Sequence, residues 1–393
     1  MSPTPRIAII GGGVGGLALH RALGRVGLRS SLYEARPTLA WPVDRGLGLW
    51  DDARASLRAL GVDLDAKDGG DGLGLGRRIA PAAYRNRAGT WLSKCSDAQA
   101  ERRRVASVSQ NALLAALAEE GPLDGTSRIH LGHALVGAAP INTYGGAWRL
   151  DFANGAQAEV DVLVGADGVS SHVLEAVRHV QPLDRRESLP EGGVDVARAE
   201  GGYTFFSAVT ATDSHCDPFE TLGGGSHGVD AARDGQIGGS AGGGGCGTAW
   251  LGSPGVRFAS VPLGGGSFWF SSLPTAMVPP HLRAGSLSQE EGGGGRDALD
   301  FLLSVHGGWH QPIPQLIGAV ESDDGLLVEE STEYLIPKRP YLLLGSGEEA
   351  RRQPGCAAAV FIGDARAPVS PNLAQGAAVA IEDAADLAAI LGK

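Results

Sequence analysis

Cysteine is scarce in this chain, with four in 393 residues, at positions 95, 216, 246 and 356, and no two of them form a Cys-x-x-Cys pair. That argues against a disulfide framework or a cysteine-built metal site and points to a reducing compartment. No apolar run approaches the ~18 residues that a bilayer-crossing helix needs. Residue 6 already opens a strand-like run with no signal segment ahead of it. A cytoplasmic protein without a transmembrane segment is therefore expected. Positive charge is in deficit too: 33 lysines and arginines face 44 aspartates and glutamates, for a net charge of -11. A surface of that sign repels phosphates, so a nucleic-acid partner is not expected. The main basic cluster, Arg102-Arg103-Arg104, reads as a solvated face ahead of a helix. No set of His, Cys, Asp or Glu has convincing metal-ligand spacing, so no metal is expected. Nothing in the pattern fixes an oligomeric state.

Glycine is what the chain has in excess, and its first cluster organises the rest. Arg6-Ile7-Ala8-Ile9-Ile10 reads as a buried strand, and Leu17, Leu19, Leu23 and Val26 recur at helical spacing. The intervening Gly11-Gly12-Gly13-Val14-Gly15-Gly16 thus lies at a strand-to-helix turn. Such a turn suits a dinucleotide: Gly11 permits the tight bend, Gly13 lets the backbone approach a pyrophosphate, and Gly16 lets helix and strand pack closely. Ser30-Ser31-Leu32-Tyr33 reads as a second strand ending in Glu34, eighteen residues past Gly16. A carboxylate there can accept hydrogen bonds from ribose hydroxyls.

Downstream, Trp41 to Gly48 reads as a loop carrying Arg45, and Asp51 to Leu60 as a helix stopped by Gly61. Leu73 to Ile79, Ala82 to Arg85 and Thr90 to Leu92 read as short strands of a second layer, and Val108 to Glu120 as a helix with Gln110 in its first turn. Asn154-Gly155 signals a hairpin. Asp161 to Gly165, an apolar run leading into Ala166-Asp167-Gly168, reads as a parallel strand returning to the first layer. Strands over Thr204 to Val209, Val256 to Val261 and Ser267 to Phe270 then precede helices around Asp297 to Val305 and Pro312 to Val320. The tracts 222–247 and 292–295 hold too much glycine to bury enough surface and are expected to be flexible insertions. The expected fold is α/β: a Rossmann-like nucleotide domain from residues 1–80, 105–178 and 341–393, interleaved with a β-rich substrate domain from 81–104 and 179–340.

A second informative stretch closes the chain. Ala357 to Phe361 reads as a strand, followed by Gly363-Asp364, by Pro371-Asn372-Leu373-Ala374-Gln375-Gly376, and by a helix through Ile390. A carboxylate at a strand end can take a hydrogen bond from a polyol. The turn's N–H groups and the helix N-terminus favour negative charge beside them, as on the pyrimidine edge of a reduced flavin. Together with Gly11, Gly13, Gly16, Glu34 and Asp167-Gly168, these motifs resemble, in order and over nearly the whole length, the FAD-dependent monooxygenases of the aromatic hydroxylase type. That family includes p-hydroxybenzoate hydroxylase, urate hydroxylase and zeaxanthin epoxidase. The resemblance implies that the first motif holds the ADP half of FAD, Gly363 and Asp364 its ribityl chain, and that Asp167 and Gly168 serve both FAD and NAD(P)H. It also places Arg45 near the isoalloxazine ring and directs Gln110 towards the flavin.

The activity so implied is monooxygenation. NADPH or NADH reduces FAD, the flavin captures dioxygen as a hydroperoxide, and oxygen passes to an aromatic or polyene small molecule, while the protein orients and excludes water. Arg257 and Phe268-Trp269-Phe270 resemble the strands lining the site in the urate hydroxylase branch, with Arg257 at its substrate arginine, but Trp269 replaces its Tyr and Asn372 its Asp. Losing a hydroxyl and a carboxylate would leave a purine's polar groups unpaired, so a flatter, more apolar ring is expected. Arg366 and Ala367 also depart from the small residue and His of many relatives, and the chain stops at Lys393, directly after the last flavin helix. Two alternatives stay open: an FAD-dependent reductase or dehydrogenase without oxygen transfer, and a catalytically silent flavin-binding interaction protein.

Overall fold

The computed structural model describes residues 4–65, 75–93, 105–119, 128–141, 147–178, 197–211, 245–263, 266–284, 294–320, 325–335, 358–369 and 374–393. Five strands form a sheet in the order β17 (Ala358–Phe361), β11 (Val162–Gly165), β1 (Ile7–Ile10), β2 (Ser30–Tyr33) and β7 (Arg128–His130), with every neighbour parallel. All four residues of β1 are buried, because both faces of this sheet are covered. Ile7 and Ile9 share a core with α1 (Val14–Arg25), α2 (Asp51–Ala59), α3 (Gln110–Glu119) and α7 (Gly376–Leu391). On the other face, Ala8 and Ile10 meet α4 (His172–Arg178) and a three-stranded sheet of β8 (Leu135–Pro140), β9 (Trp148–Phe152) and β10 (Gln157–Val160). Asn154-Gly155 turns the chain from β9 to β10, with Gly155 at φ +83°.

A second, larger sheet runs β16 (Leu327–Leu335), β12 (Ala197–Ala211), β15 (Gly266–Pro274), β14 (Arg257–Leu263), β13 (Gly245–Leu251), β4 (Gly76–Asn86), β6 (Val105–Ser109) and β3 (Gly46–Leu49), with β5 (Trp91–Ser93) paired to β4. Helices α5 (Gly294–His306) and α6 (Ile313–Gly318) cover one of its faces, packing Ala298, Leu302, Ile313 and Ile317 onto Phe206, Trp250, Phe258 and Trp269. The α/β fold class is as expected, and several elements differ in detail. The loop expected from Trp41 ends early, because Gly46 to Gly48 pair with β6 as part of β3. Val108, expected to start a helix, lies in β6. The expected strands on either side of Pro81 are one strand, β4. Its register against β13 slips between the Cys246–Ala80 and Thr248–Ala83 pairs, which takes the imino acid out of the ladder. Gly245 to Gly247, expected within a flexible insertion, open β13, where Gly245 and Cys246 pair with Ile79 and Ala80 of β4. Gly294 and Gly295 likewise open α5. Residues 222–244, 292–293 and Arg102 to Arg104 lie outside the described residues. Segments 46–49, 76–80 and 105–109, assigned by sequence to the nucleotide domain, pair into the larger sheet.

Two buried imidazoles make stability depend on pH. His20 donates to or accepts from Ser30 at 2.8 Å, and His306 is held the same way by Ser271 at 2.9 Å. Burial lowers the pKa of each to about 4. Unfolded histidine titrates near pH 6.5, so between ~6.5 and ~4 the unfolded chain binds more protons than the native one. Stability is thus present in full above about pH 6.5 and falls as pH drops towards 4, by up to ~1.4 kcal/mol per pH unit for each group. Urea midpoints at pH 7, 6 and 5 should decrease in that order, and His306→Gln should flatten the slope. A midpoint independent of pH over this range would contradict the burial of both rings.

Candidate functional site

The site is built first from the turn between β1 and α1. Gly11 sits at φ +109°, and a Cβ there would lie 2.4 Å from the carbonyl oxygen of Ala166. The fingerprint therefore touches the Asp167-Gly168 segment directly. A Cβ on Gly16 would fall 1.9 Å from the carbonyl of Gly11, so helix and strand approach more closely than any side chain permits. Gly13 differs: it is the N-cap of α1 and has nothing within 4 Å of a Cβ position. The cap is free of any side-chain hydrogen bond and no acid occupies the first turn, an arrangement suited to an anion.

Glu34 follows β2 and is buried. One oxygen accepts the Gly12 N–H at 2.5 Å, and the other accepts both the backbone N–H and Nε of Arg36 at 2.9 Å. A carboxylate has about four lone-pair sites, so one remains for a ribose hydroxyl. Asp167 accepts from the Ser171 hydroxyl at 2.6 Å and from the Val173 N–H at 3.1 Å, which ties it to the start of α4. Gly168 beside it adopts φ +80° with open space around it.

Strand β17 delivers the second half. Gly363 is at φ +57° and gives its N–H to Asp383 on α7 at 2.9 Å. Arg366 is bound to the same carboxylate at 2.6 Å, so this departure from the family pattern is a clamp inside the motif. Asp364 stands beside the α7 N-terminus, with its carboxyl oxygens 3.7 and 3.9 Å from where a Gly376 Cβ would be. The residue's outer edge is exposed, but its carboxyl is flanked by protein, and this desolvation raises its pKa against the opposing Val369 N–H. The α7 N-cap, Gln375, makes no side-chain cap and no acid follows it in the first turn. Pro371, Asn372 and Leu373 lie outside the described residues. Asp364→Ala is expected to weaken FAD retention by roughly 10- to 100-fold, since a charge-assisted hydrogen bond contributes roughly 1.5–3 kcal/mol. Full flavin stoichiometry after dialysis of the variant would refute that role.

Arg45 and Gln110 are brought together. The Gln110 N–H donates to the Arg45 carbonyl at 2.8 Å, and the Arg45 guanidinium reaches Glu329 on β16 at 2.9 Å. Asp44 fixes this loop by accepting the Arg45 N–H at 2.8 Å, the Asn111 N–H at 3.0 Å and the Ser109 hydroxyl at 2.5 Å. Asn111 adds a reciprocal pair with the Trp41 backbone at 2.8 and 3.0 Å. Arg45 is therefore positioned from behind by α3 and from in front by the larger sheet.

The sheet's alternation then decides which residues face Arg45. Phe205, Ser272 and Arg257 are cross-strand partners of Glu329 in a single row. Ser207, Phe270 and Ala259 form the next row, and Val209, Phe268 and Val261 the one after. Paired residues share a face. Phe268 on that face lies under β3, 2.7 Å from a Gly46 Cβ position. Trp269 points the other way. It is fully buried against α5 and α6, stacked on Phe258 with centroids 5.3 Å apart. The expectation that Trp269 lines the substrate site is corrected: a period of two puts Phe268 and Phe270 there instead. Arg257 does lie on this face, exposed at the end of β14.

Asp44, Asn111, Asp383, Glu329 and Phe205 went unnoticed in the sequence. Asp383 is seventeen residues from Arg366 and Glu329 lies 284 residues from Arg45, so no local spacing links the partners. Asp44, immediately before Arg45 in a loop that meets a helix start, carried a faint capping signal.

A glycine turn from a parallel strand into an uncapped helix, backed by a buried acid and joined to a second Gly-Asp turn, defines an FAD-binding domain, here interleaved with a β-rich second sheet. Residues 4–199 match the family described as "FAD binding domain". The chain belongs to the FAD-dependent monooxygenases of the aromatic hydroxylase type. It is 29% identical to aurachin C monooxygenase/isomerase of Stigmatella aurantiaca, over 98% of this chain and 80% of that one. With 6-hydroxynicotinate 3-monooxygenase of Bordetella bronchiseptica it shares 25%, over 99% and 83%. Among solved structures, HpxO of Klebsiella pneumoniae complexed with FAD and uric acid superimposes with a TM-score of 0.68 at 21% identity, covering 100% of this chain and 81% of that one, a likeness of fold. No described helix is long and apolar enough to cross a membrane. Among the described residues no cluster of three or more His, Cys, Asp or Glu is placed to hold a metal.

Proposed function

We propose that this chain is an NADPH- or NADH-driven monooxygenase that hydroxylates or epoxidises a small molecule with a flat, largely apolar aromatic or polyene body. The observation that carries the substrate class is the face formed by Phe205, Phe268 and Phe270 with Ala259 and Val261. The Phe270 ring lies 6.2 Å from that of Phe205 and 6.3 Å from that of Phe268, and the three face the loop that presents Arg45. Such a face offers stacking and apolar contact, with Arg257, Ser207 and Ser272 at hand for polar groups. The names of the relatives, which put 6-hydroxynicotinate and aurachin C in their active sites, favour ring substrates.

Bound FAD supplies the acceptance of electrons from a nicotinamide and the activation of dioxygen. The chain's own residues supply placement. Gly11 to Gly16 and the α1 N-terminus receive the pyrophosphate, Glu34 a ribose hydroxyl, and Asp364 the polyol, while the α7 N-terminus faces developing negative charge. Arg45 and Gln110, joined through the Arg45 carbonyl, would meet the bound cofactor beside the phenylalanine face, which would keep water from the reacting ring. Purified protein should be yellow, bleach with NADPH or NADH without oxygen, and recover its colour in air. Aromatic ligands that speed the bleaching identify the substrate class. A protein that holds FAD but is never reduced under any ligand would instead be a silent flavin-binding module.

A further inference from the structure

The substrate face is asymmetric in charge, and the asymmetry comes from one residue. Along a single row the cross-strand partners are Glu329, Phe205, Ser272, Arg257 and Leu251. Two arginines reach this face: Arg257 from the sheet itself and Arg45 from the loop opposite. They approach from ends three strands apart, roughly 14 Å at the usual spacing between strands. Arg45 is bound to Glu329 at 2.9 Å, whereas Arg257 makes no hydrogen bond or ion pair among the described residues. The other described residues of these rows are apolar or serine: Phe205, Phe268, Phe270, Ala259, Val209, Val261, Leu251, Ser207 and Ser272.

We infer that Glu329 is a specificity-determining residue. By neutralising Arg45 it leaves Arg257 as the available cation among the described side chains of these rows. The site then takes an apolar aromatic with one anionic or strongly accepting group and holds that group at the Arg257 end. Without Glu329 the face would carry a cation at each end, and an acidic ligand could bind in either direction. An ordinary surface ion pair would not have this consequence. Glu329 can have it because its partner is fixed: Asp44 and the α3 N-terminus hold the Arg45 backbone, so losing the acid leaves the guanidinium at the site.

The inference rests on the proposed substrate face, and the test separates the two. FAD-loaded protein is titrated with 2-naphthol and with 6-hydroxy-2-naphthoate, one ring system without and with a carboxylate, following the flavin absorbance and tryptophan fluorescence. Arg257→Gln should weaken the naphthoate about 3- to 5-fold and spare the naphthol, the range seen for partly exposed ion pairs. Adding Glu329→Gln to that variant should restore naphthoate affinity by a similar factor, through Arg45. Glu330→Gln, whose side chain lies on the opposite face beside Thr204, should change neither. An unchanged naphthoate-to-naphthol ratio on adding Glu329→Gln, or an equal shift from Glu330→Gln, would overturn the role of Glu329 alone. If neither probe binds the wild-type protein and Phe270→Ala alters nothing, the face is not a substrate site, and the inference falls with it.

Discussion

Gly13→Val is expected to yield a folded protein that no longer holds FAD. The backbone at residue 13 has φ -76° and ψ -174°, an extended conformation open to any L-residue. Nothing lies within 4 Å of a Cβ there, so the chain itself has room for valine. That room is what the pyrophosphate needs, and two methyl groups would hold it away from the α1 N-terminus. Flavin should be absent from the purified variant and not be restored by added FAD, while the thermal midpoint of the apoprotein stays close to wild type. Gly16→Val is the contrasting case. Its Cβ would sit 1.9 Å from a backbone oxygen, so helix and strand must part, and the variant should fail to fold. A Gly13→Val protein with normal flavin content would remove the pyrophosphate from this turn.

Trp269→Ala should be among the most damaging changes in the larger sheet, and damaging to stability. The indole is fully buried, stacked on Phe258 and enclosed by α5 and α6. Replacing a buried tryptophan by alanine typically costs ~3–5 kcal/mol, a large share of a total of about 5–15 kcal/mol. Phe270→Ala, one residue along, truncates a half-buried ring on the opposite face. It should leave the urea midpoint much closer to wild type and raise KM for an aromatic substrate about tenfold or more, since stacking and apolar area are lost from the bound state. If Trp269→Ala kept full stability but lost substrate affinity, the assignment of the two faces would be reversed.

Local chemistry is what could be read from the sequence. The strand, glycine turn and helix at residues 7–25 were legible because each glycine answers a local need, a bend at Gly11 or a close approach at Gly16. The same holds for the Gly155 turn and for the strand after Asp161. Where pairing partners are distant, the pattern was silent. Gly245 to Gly247 have no apolar periodicity, yet they open β13, where Gly245 and Cys246 pair with β4. Glu329 sits in the strand Leu327-Val328-Glu329-Glu330, whose polar alternation does not announce a strand, and its role depends on an arginine at the far end of the chain. Trp269 shows a different difficulty. A run of Phe-Trp-Phe identifies an aromatic strand, but which parity faces the cofactor depends on which side α5 and α6 cover, and that is decided by tertiary packing.

The most direct test of the whole account is the fate of oxygen. Purified, FAD-loaded protein is given NADPH or NADH, a panel of neutral and monocarboxylate aromatics and polyenes, and isotopically labelled dioxygen, and the products are weighed by mass spectrometry. The account predicts a substrate whose product carries one oxygen atom from the labelled gas, formed only when nicotinamide is consumed. Substrate-stimulated nicotinamide oxidation with no labelled oxygen in any product would contradict it and would leave a flavin reductase in its place.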